Sequence, residues 1–262
     1  MNMDISYSTT CFGPEKAEND LLRWLEIIHS TGINKVELSR KHHNLGHRSE
    51  QIKALGIEVW SIHGTLSNFA ISDDPNKREQ AITTEIERMR DTAIFAPCPY
   101  VIHYLDRFND PVYGQYFRQA IEQLIVANEE FGFILAIETA PYKPLENERY
   151  PDSNEIADFV RSFNNDQVKM TIDINHSNIH EDILEVCRNC RGLIANIHVS
   201  DNHGEYEDHL VPGAGIIPIK AVMQELQKCD YSGPCNLEFH ADPVPDREFI
   251  IKVNKIMADL LC

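Results

Sequence analysis

The sequence predicts one α/β domain over residues 1–262, a closed (β/α)8 TIM barrel. Three observations lead there. Eight short apolar segments alternate with eight amphipathic ones at intervals of roughly thirty residues. The 262 residues are enough for one such barrel, and no linker, low-complexity run or repeat divides them. Finally, successive apolar segments finish on His, Asp or Glu, and a barrel places its active site at the C-terminal ends of its strands. An open doubly wound sheet is the alternative. No Gly-x-Gly-x-x-Gly follows any strand, and Gly213-Ala214-Gly215 is too short for that fingerprint.

Asp4 to Tyr7 is the first strand. Leu21, Leu22, Leu25 and Ile28 recur at three- and four-residue steps, so Ala17 to His29 reads as an amphipathic helix after the Gly13-Pro14 break, closed by Gly32. Lys35 to Leu38 is the second strand. The polar residues 39–47 after it, with His42, His43 and His47, read as a solvated loop or a lid. A short helix, Glu50 to Leu55, leads into the third strand, Ile57 to Gly64. Alternation would turn Val59, Ser61 and His63 inward and Trp60 and Ile62 outward. Pro75 stands near the first position of a helix reaching about to Phe95. Tyr100 to His103, helix Gln115 to Glu130 and Phe133 to Ile137 follow. Residues 138–152, rich in proline and aromatics, are expected to reach over the active face. Ser153 caps a helix to Phe163. The remaining strands are Lys169 to Ile172, Leu193 to Ile197 and Asn236 to Phe239. The remaining helices are Ile179 to Cys190, Ile219 to Cys229 and Asp246 to Leu260.

Composition limits the partners. Lys plus Arg number 24 against 41 Asp plus Glu, a net charge of -17 that repels a phosphate backbone, and no basic run offsets it. Nucleic acid is therefore a disfavoured partner. Seven cysteines at irregular spacing read as reduced thiols in a cytoplasmic protein. Cys187-x-x-Cys190 falls inside a helical pattern with no second pair, which argues against a zinc site there. No signal peptide and no window of membrane-spanning length is recognisable.

The chemistry sits at the strand ends. His63, His103, Glu138, Asp173, His198 and Glu238 each end a different apolar strand, and His176 follows Asp173 by three residues. After His198, Asp201, Asn202, His203, Glu205, Glu207, Asp208 and His209 crowd together before a Pro-Gly-Ala-Gly turn. Mixed carboxylates and imidazoles suit manganese, zinc, iron or cobalt better than calcium or a thiolate site. Glu138 and Glu238 stand in apolar contexts, ILAIE and CNLE, where an unpaired carboxylate is costly. Asp201 is expected to orient His198 or His209, and His240 to support the site or touch substrate. His29, His42, His43, His47, His180 and His203 are assigned to helices, loops or surface.

Together these motifs resemble the xylose-isomerase-like barrel superfamily, which includes sugar isomerases and epimerases and the metal-dependent apurinic endonuclease. The resemblance covers essentially the whole chain. It rests on the third- and fourth-strand histidines, Glu138, Asp173-x-x-His176, His198-x-x-Asp201, His209-x-x-x-Gly213-x-Gly215 and Glu238. Likeness to the keto-sugar 3-epimerases implies one divalent ion, commonly manganese, on Glu138, Asp173, His198 and Glu238. The two glutamates would exchange the substrate proton, and His176 would bond a substrate oxygen. Those epimerases carry an arginine soon after the strand-seven histidine; residues 199–209 contain none, so substrate anchoring must differ. Likeness to the endonuclease implies three zinc ions on His63, His103, Glu138, Asp173, His176, His198, Glu207, His209 and Glu238.

The leading expectation is a divalent-metal-dependent isomerase or epimerase of a sugar or polyol, using manganese or zinc, or else cobalt, iron or magnesium. A multinuclear zinc-type phosphate-ester hydrolase is the alternative. A polyol lyase or dehydratase and a non-enzymatic binding protein follow. Self-association into a homo-oligomer is expected for enzymes of this resemblance.

Overall fold

The computed structural model describes residues 3–12, 17–105, 111–140, 151–242 and 244–261, with the side chains of 17–19 left aside. Eight parallel strands close into a barrel in chain order: β1 (Ile5–Ser8), β2 (Lys35–Leu38), β3 (Glu58–His63), β4 (Pro99–His103), β5 (Ile134–Glu138), β6 (Val168–Asp173), β7 (Ile194–Val199) and β8 (Cys235–Leu237). β8 pairs back onto β1, with Asn236 opposite Ser6. The helices among the described residues are α1 (Ala17–His29), α2 (Leu45–Ala54), α3 (Pro75–Thr92), α4 (Pro111–Phe131) and α5 (Ser153–Arg161). They continue with α6 (Ile174–Ser177), α7 (Ile183–Asn189), α8 (Ile219–Lys228) and α9 (Arg247–Leu261). The expected barrel is thus the observed one. Among the described residues no helix is long and apolar enough to cross a membrane.

Strand alternation produces two unlike faces. Tyr7, Val36, Ile62, Ile102, Ile137, Ile172, Ile197 and Leu237 join the apolar layer beneath the helices. Residues between them point to the barrel axis, and most are polar and fully buried: Ser6, Glu37, Ser61, Thr171, Asn196 and Asn236. Such an interior holds only if its groups bond one another. The described cysteines are all buried and unpaired. Burial pushes the thiols of Cys98, Cys187, Cys190 and Cys235 up to about 12, so they pack as small apolar groups.

Local departures have physical causes. Val36 pairs with Val59 but Glu37 with Ser61, a bulge that skips Trp60. Trp60 therefore points inward, against the expectation, and its indole Nε1 donates to Asn196 Oδ1 on β7 across the barrel at 2.9 Å. Helix α2 starts at Leu45 rather than Glu50 because its cap comes from another helix. Asp91 of α3 accepts from the amides of Leu45 at 2.7 Å and Gly46 at 3.3 Å. Asp152, not Ser153, caps α5 in a reciprocal box with Glu155. The helix expected from Ile179 to Cys190 is the shorter α7, capped by Asp182, and a separate short helix not expected from the sequence, α6, precedes it with Asp173 as its cap. The loop after β2 is not simply solvated. His42 is buried, its Nε2 is 2.8 Å from Thr9 Oγ1, and Arg88 of α3 donates to the carbonyls of Ser39 and His42. Residues 141–150, expected over the active face, lie outside the described residues.

Candidate metal centre

Four strand ends bring Glu138, Asp173, His198 and Glu238 together, with one donor atom from each within 4.8 Å of the others. His198 Nδ1 lies 2.9 Å from Glu138 Oε1, 2.8 Å from Glu238 Oε2 and 3.9 Å from Asp173 Oδ2. Asp173 Oδ1 accepts the amides of Asn175 and His176, which turns Oδ2 to the mouth. Asp173 Oδ2 and Glu138 Oε2 are buried and accept no well-directed hydrogen bond.

Two trios flank this group of four: His63, His103 and Glu138, and His176, Glu207 and His209. The nine residues named from sequence as metal ligands are the members of these three groups. Within each flanking trio the imidazole Nε2 atoms converge on the carboxylate. His63 Nε2 and His103 Nε2 are 3.2 Å apart, and Glu138 Oε2 lies 3.6 Å and 3.1 Å from them. His209 Nε2 is 3.2 Å and His176 Nε2 3.5 Å from Glu207 Oε1. In His63, His176 and His209 the other nitrogen, Nδ1, is spent on a backbone carbonyl: Gly64 at 3.0 Å, Thr139 at 2.9 Å and Glu238 at 3.0 Å. In the neutral ring an Nδ1–H held on a carbonyl leaves the Nε2 lone pair aimed at the shared point, the arrangement of metal-binding histidines.

Electrostatics pull these groups in opposite directions. Burial raises Asp173 despite its histidine neighbours. It opposes ionisation of Glu138 and Glu238 too, yet His103 and His198 hold Glu138 well below the usual carboxylate range, and His198 does the same for Glu238. His198 rises well above its ordinary value, burial being overcome by Glu238, Glu37 and Glu138. Such crowding of acids and imidazoles is relieved by a divalent cation. The orphaned oxygens, the lone pairs directed inward and the mixed nitrogen and oxygen donors fit one without a thiolate.

Several site residues carried weaker sequence signals. Glu37, fully buried, bonds His198 Nε2 at 2.9 Å; an acid in apolar KVEL was the sign, of the kind that drew notice to Glu138. Glu85 and Arg88 of α3 hold the β3 end. Glu85 accepts from the Thr65 amide at 2.9 Å, Thr65 Oγ1 at 2.6 Å and the Tyr100 hydroxyl at 2.8 Å, and Arg88 donates to the His63 carbonyl. A Cβ on Gly64 would meet Glu85 Oε1 at 2.4 Å, so only glycine fits between. Asp201 does not bond a histidine side chain as expected. Its carboxylate gathers the amides of Asn202, Gly213, Gly215 and Ile217, folding the loop that carries Glu207 and His209. His240 packs against His209 with ring centroids 4.5 Å apart and tilted by 32°, and joins Thr10, Arg40 and Lys41 on the rim of a cleft of about 200 Å³ above the acids.

A family model described as xylose isomerase-like TIM barrel matches residues 25–256. The chain belongs to the xylose isomerase-like TIM barrel family. The uncharacterized protein MJ1614 of Methanocaldococcus jannaschii is 33% identical over 110 residues, a match covering 42% of this chain and 41% of that protein. Solved structures share the barrel fold at lower identity. A D-tagatose 3-epimerase-like protein aligns with a TM-score of 0.81 at 16% identity over 99% of this chain and 97% of its own. A D-psicose 3-epimerase with D-tagatose, from Clostridium cellulolyticum H10, gives 0.78 at 17% over 98% and 97%. A 3-keto-D-glucoside 4-epimerase from E. coli gives 0.78 at 18% over 98% and 100%. At these identities the likeness is one of fold.

Proposed function

We propose that the protein is a divalent-metal-dependent isomerase or epimerase that moves a proton on a sugar or sugar-like polyol. The observation that carries this reading is the pair Glu138 and Glu238, which approach His198 Nδ1 to 2.9 Å and 2.8 Å from different strands. Two buried carboxylates thus flank a single cation position. A divalent ion held by Glu138, Asp173, His198 and Glu238 would polarise a substrate carbonyl and stabilise an ene-diolate. Glu138 or Glu238 takes the carbon-bound proton and the other returns one; return to the opposite face gives the epimer. His176, which lines the cleft, would bond a substrate oxygen.

Manganese or zinc suits the donors, with cobalt, iron or magnesium as further members of the class. Thr10, Arg40, Lys41 and His240 supply donors for sugar oxygens at the rim, in the place of the arginine missing from residues 199–209. The sugar-epimerase names among the fold neighbours support a sugar substrate. A net charge of -17 supports a small-molecule partner over nucleic acid. A cytoplasmic homo-oligomer remains part of the proposal.

The pinned imidazoles of the flanking trios favour a second reading, a multinuclear zinc-type hydrolase of a phosphate ester. Metal content separates the two: protein purified without added metal is expected to hold near one equivalent, and two or three tightly held zinc ions would favour the hydrolase. Glu138→Gln is expected to abolish solvent-deuterium incorporation at a sugar carbon. Exchange at the wild-type rate would remove Glu138 as a base.

A further inference from the structure

Glu37 lies beneath the metal centre, fully buried, and takes no part in the proton transfer just described. Its Oε2 collects donors from three other strands: Ser61 Oγ at 2.8 Å, His198 Nε2 at 2.9 Å, Asn236 Nδ2 at 3.0 Å and Asn196 Nδ2 at 3.4 Å. Oε1 accepts none. These donors are not free to turn. The Trp60 indole can only donate, and it lies 2.9 Å from Asn196 Oδ1, so the other end of that amide, Nδ2, faces Glu37. A carboxylate can only accept, so His198 Nε2 must carry its proton toward Glu37. In the neutral ring the lone pair then belongs to Nδ1, the atom aimed at Glu138, Asp173 and Glu238. The ring is thus reversed relative to His63, His176 and His209, whose Nδ1 atoms are the ones held on carbonyls.

We infer that Glu37 is a positioning residue of the metal centre: through Oε2 it fixes the ring and tautomer of His198 so that Nδ1 is the cation ligand. This rests on the reading of Glu138, Asp173, His198 and Glu238 as a cation site and is independent of the reaction that follows.

Cobalt(II) added to the metal-free full-length protein tests it, with affinity from chelator competition and geometry from the visible d–d absorption. Glu37→Gln keeps an oxygen acceptor under the ring and is expected to hold cobalt within about threefold of wild type with the same spectrum. Glu37→Leu removes the acceptor and is expected to lose roughly 10–100-fold in affinity and to change the spectrum. Equal losses in both variants would show that Glu37 acts through charge, and wild-type affinity in Glu37→Leu that it does not act at all; either overturns the inference. A Glu37→Leu protein that fails to fold leaves the decision to ¹⁵N NMR of zinc-loaded wild type. Zinc on Nδ1 with a protonated Nε2 supports the inference, and zinc on Nε2 overturns it. Wild type that binds neither metal sinks the centre and this inference with it, a result distinct from a wild type that binds beside a Glu37→Leu that binds equally well.

Discussion

A cation entering the trio of His176, Glu207 and His209 must displace protons. Burial alone would lower His176, but Asp173, Glu207 and Glu138 outweigh it and push it up to about 10. Burial of His209 is likewise overcome by Glu207, Asp173 and Glu238, which push it up to about 9. Both imidazoles are therefore protonated at neutral pH in the cation-free protein, while a ligand histidine must be neutral. Zinc affinity at this trio is expected to rise with pH, by about 100-fold per unit for two protons, and to level off above the higher value. Chelator competition across that range checks it; a pH-independent affinity would exclude the two histidines as ligands. The linked effect on stability has the opposite sign. Both folded values exceed the unfolded value near 6.5, so the stabilisation is fully present below it and is lost as pH rises through about 9 and about 10. The ligand types could be read from sequence because each stands at a strand end or in an acid-rich loop. Glu37 could not be placed in the same way. It sits within β2, and its partner His198 is 161 residues away, so only closure of the barrel reveals what it does.

At the scale of elements, the loop between β7 and α8 shows how one carboxylate sets the position of others. Asp201 pairs its backbone with Leu210 and closes the intervening turn. Its side chain accepts four amides, at 2.9 Å from Asn202, Gly213 and Gly215 and 3.0 Å from Ile217. A Cβ at Gly215 would lie 2.2 Å from the Asn202 carbonyl, which explains the glycine in the Pro-Gly-Ala-Gly turn. Asp201→Ala strands these amides, at a cost of about 1–3 kcal/mol for each one left dry. Denaturant unfolding of the cation-free variant is expected to show a loss on the order of 3 kcal/mol or more. A loss under about 0.5 kcal/mol would mean that water replaces the carboxylate. Periodicity and local caps made most helices legible, as with Pro75 at the start of α3. Where the determinant was tertiary, local rules failed. The cap of α2 comes from Asp91, and the bulge at Trp60 of β3 turns that residue inward, because alternation counts residues and a bulge adds one.

For the whole molecule, the decisive feature is that the three ligand groups draw on the ends of six strands, β3 through β8, and on the loop after β7. Cations there would add to the few side-chain ties that already cross the barrel, such as Trp60 to Asn196 and Glu37 to His198, and they would quench repulsion among buried acids. They would bind the native state and not the unfolded chain, in which these residues are scattered from position 63 to position 238. The stabilisation follows from mass action, about 2.7 kcal/mol at a free concentration 100 times the dissociation constant. For a domain of 150–250 residues, about 1 kcal/mol moves the melting temperature by about 2–4 °C, and this chain of 262 residues lies just beyond that range. Dialysis against a chelator is therefore expected to lower Tm by about 5–10 °C, with recovery when manganese or zinc is restored. His198→Ala, which removes one of the four ligands common to both metal readings, is expected to blunt that recovery. Calorimetry of wild type and variant, with and without metal, makes the comparison. A wild-type Tm indifferent to both chelator and added metal would mean that the buried acids and imidazoles satisfy one another, as Glu138, His198 and Glu238 do within 3 Å in the cation-free geometry.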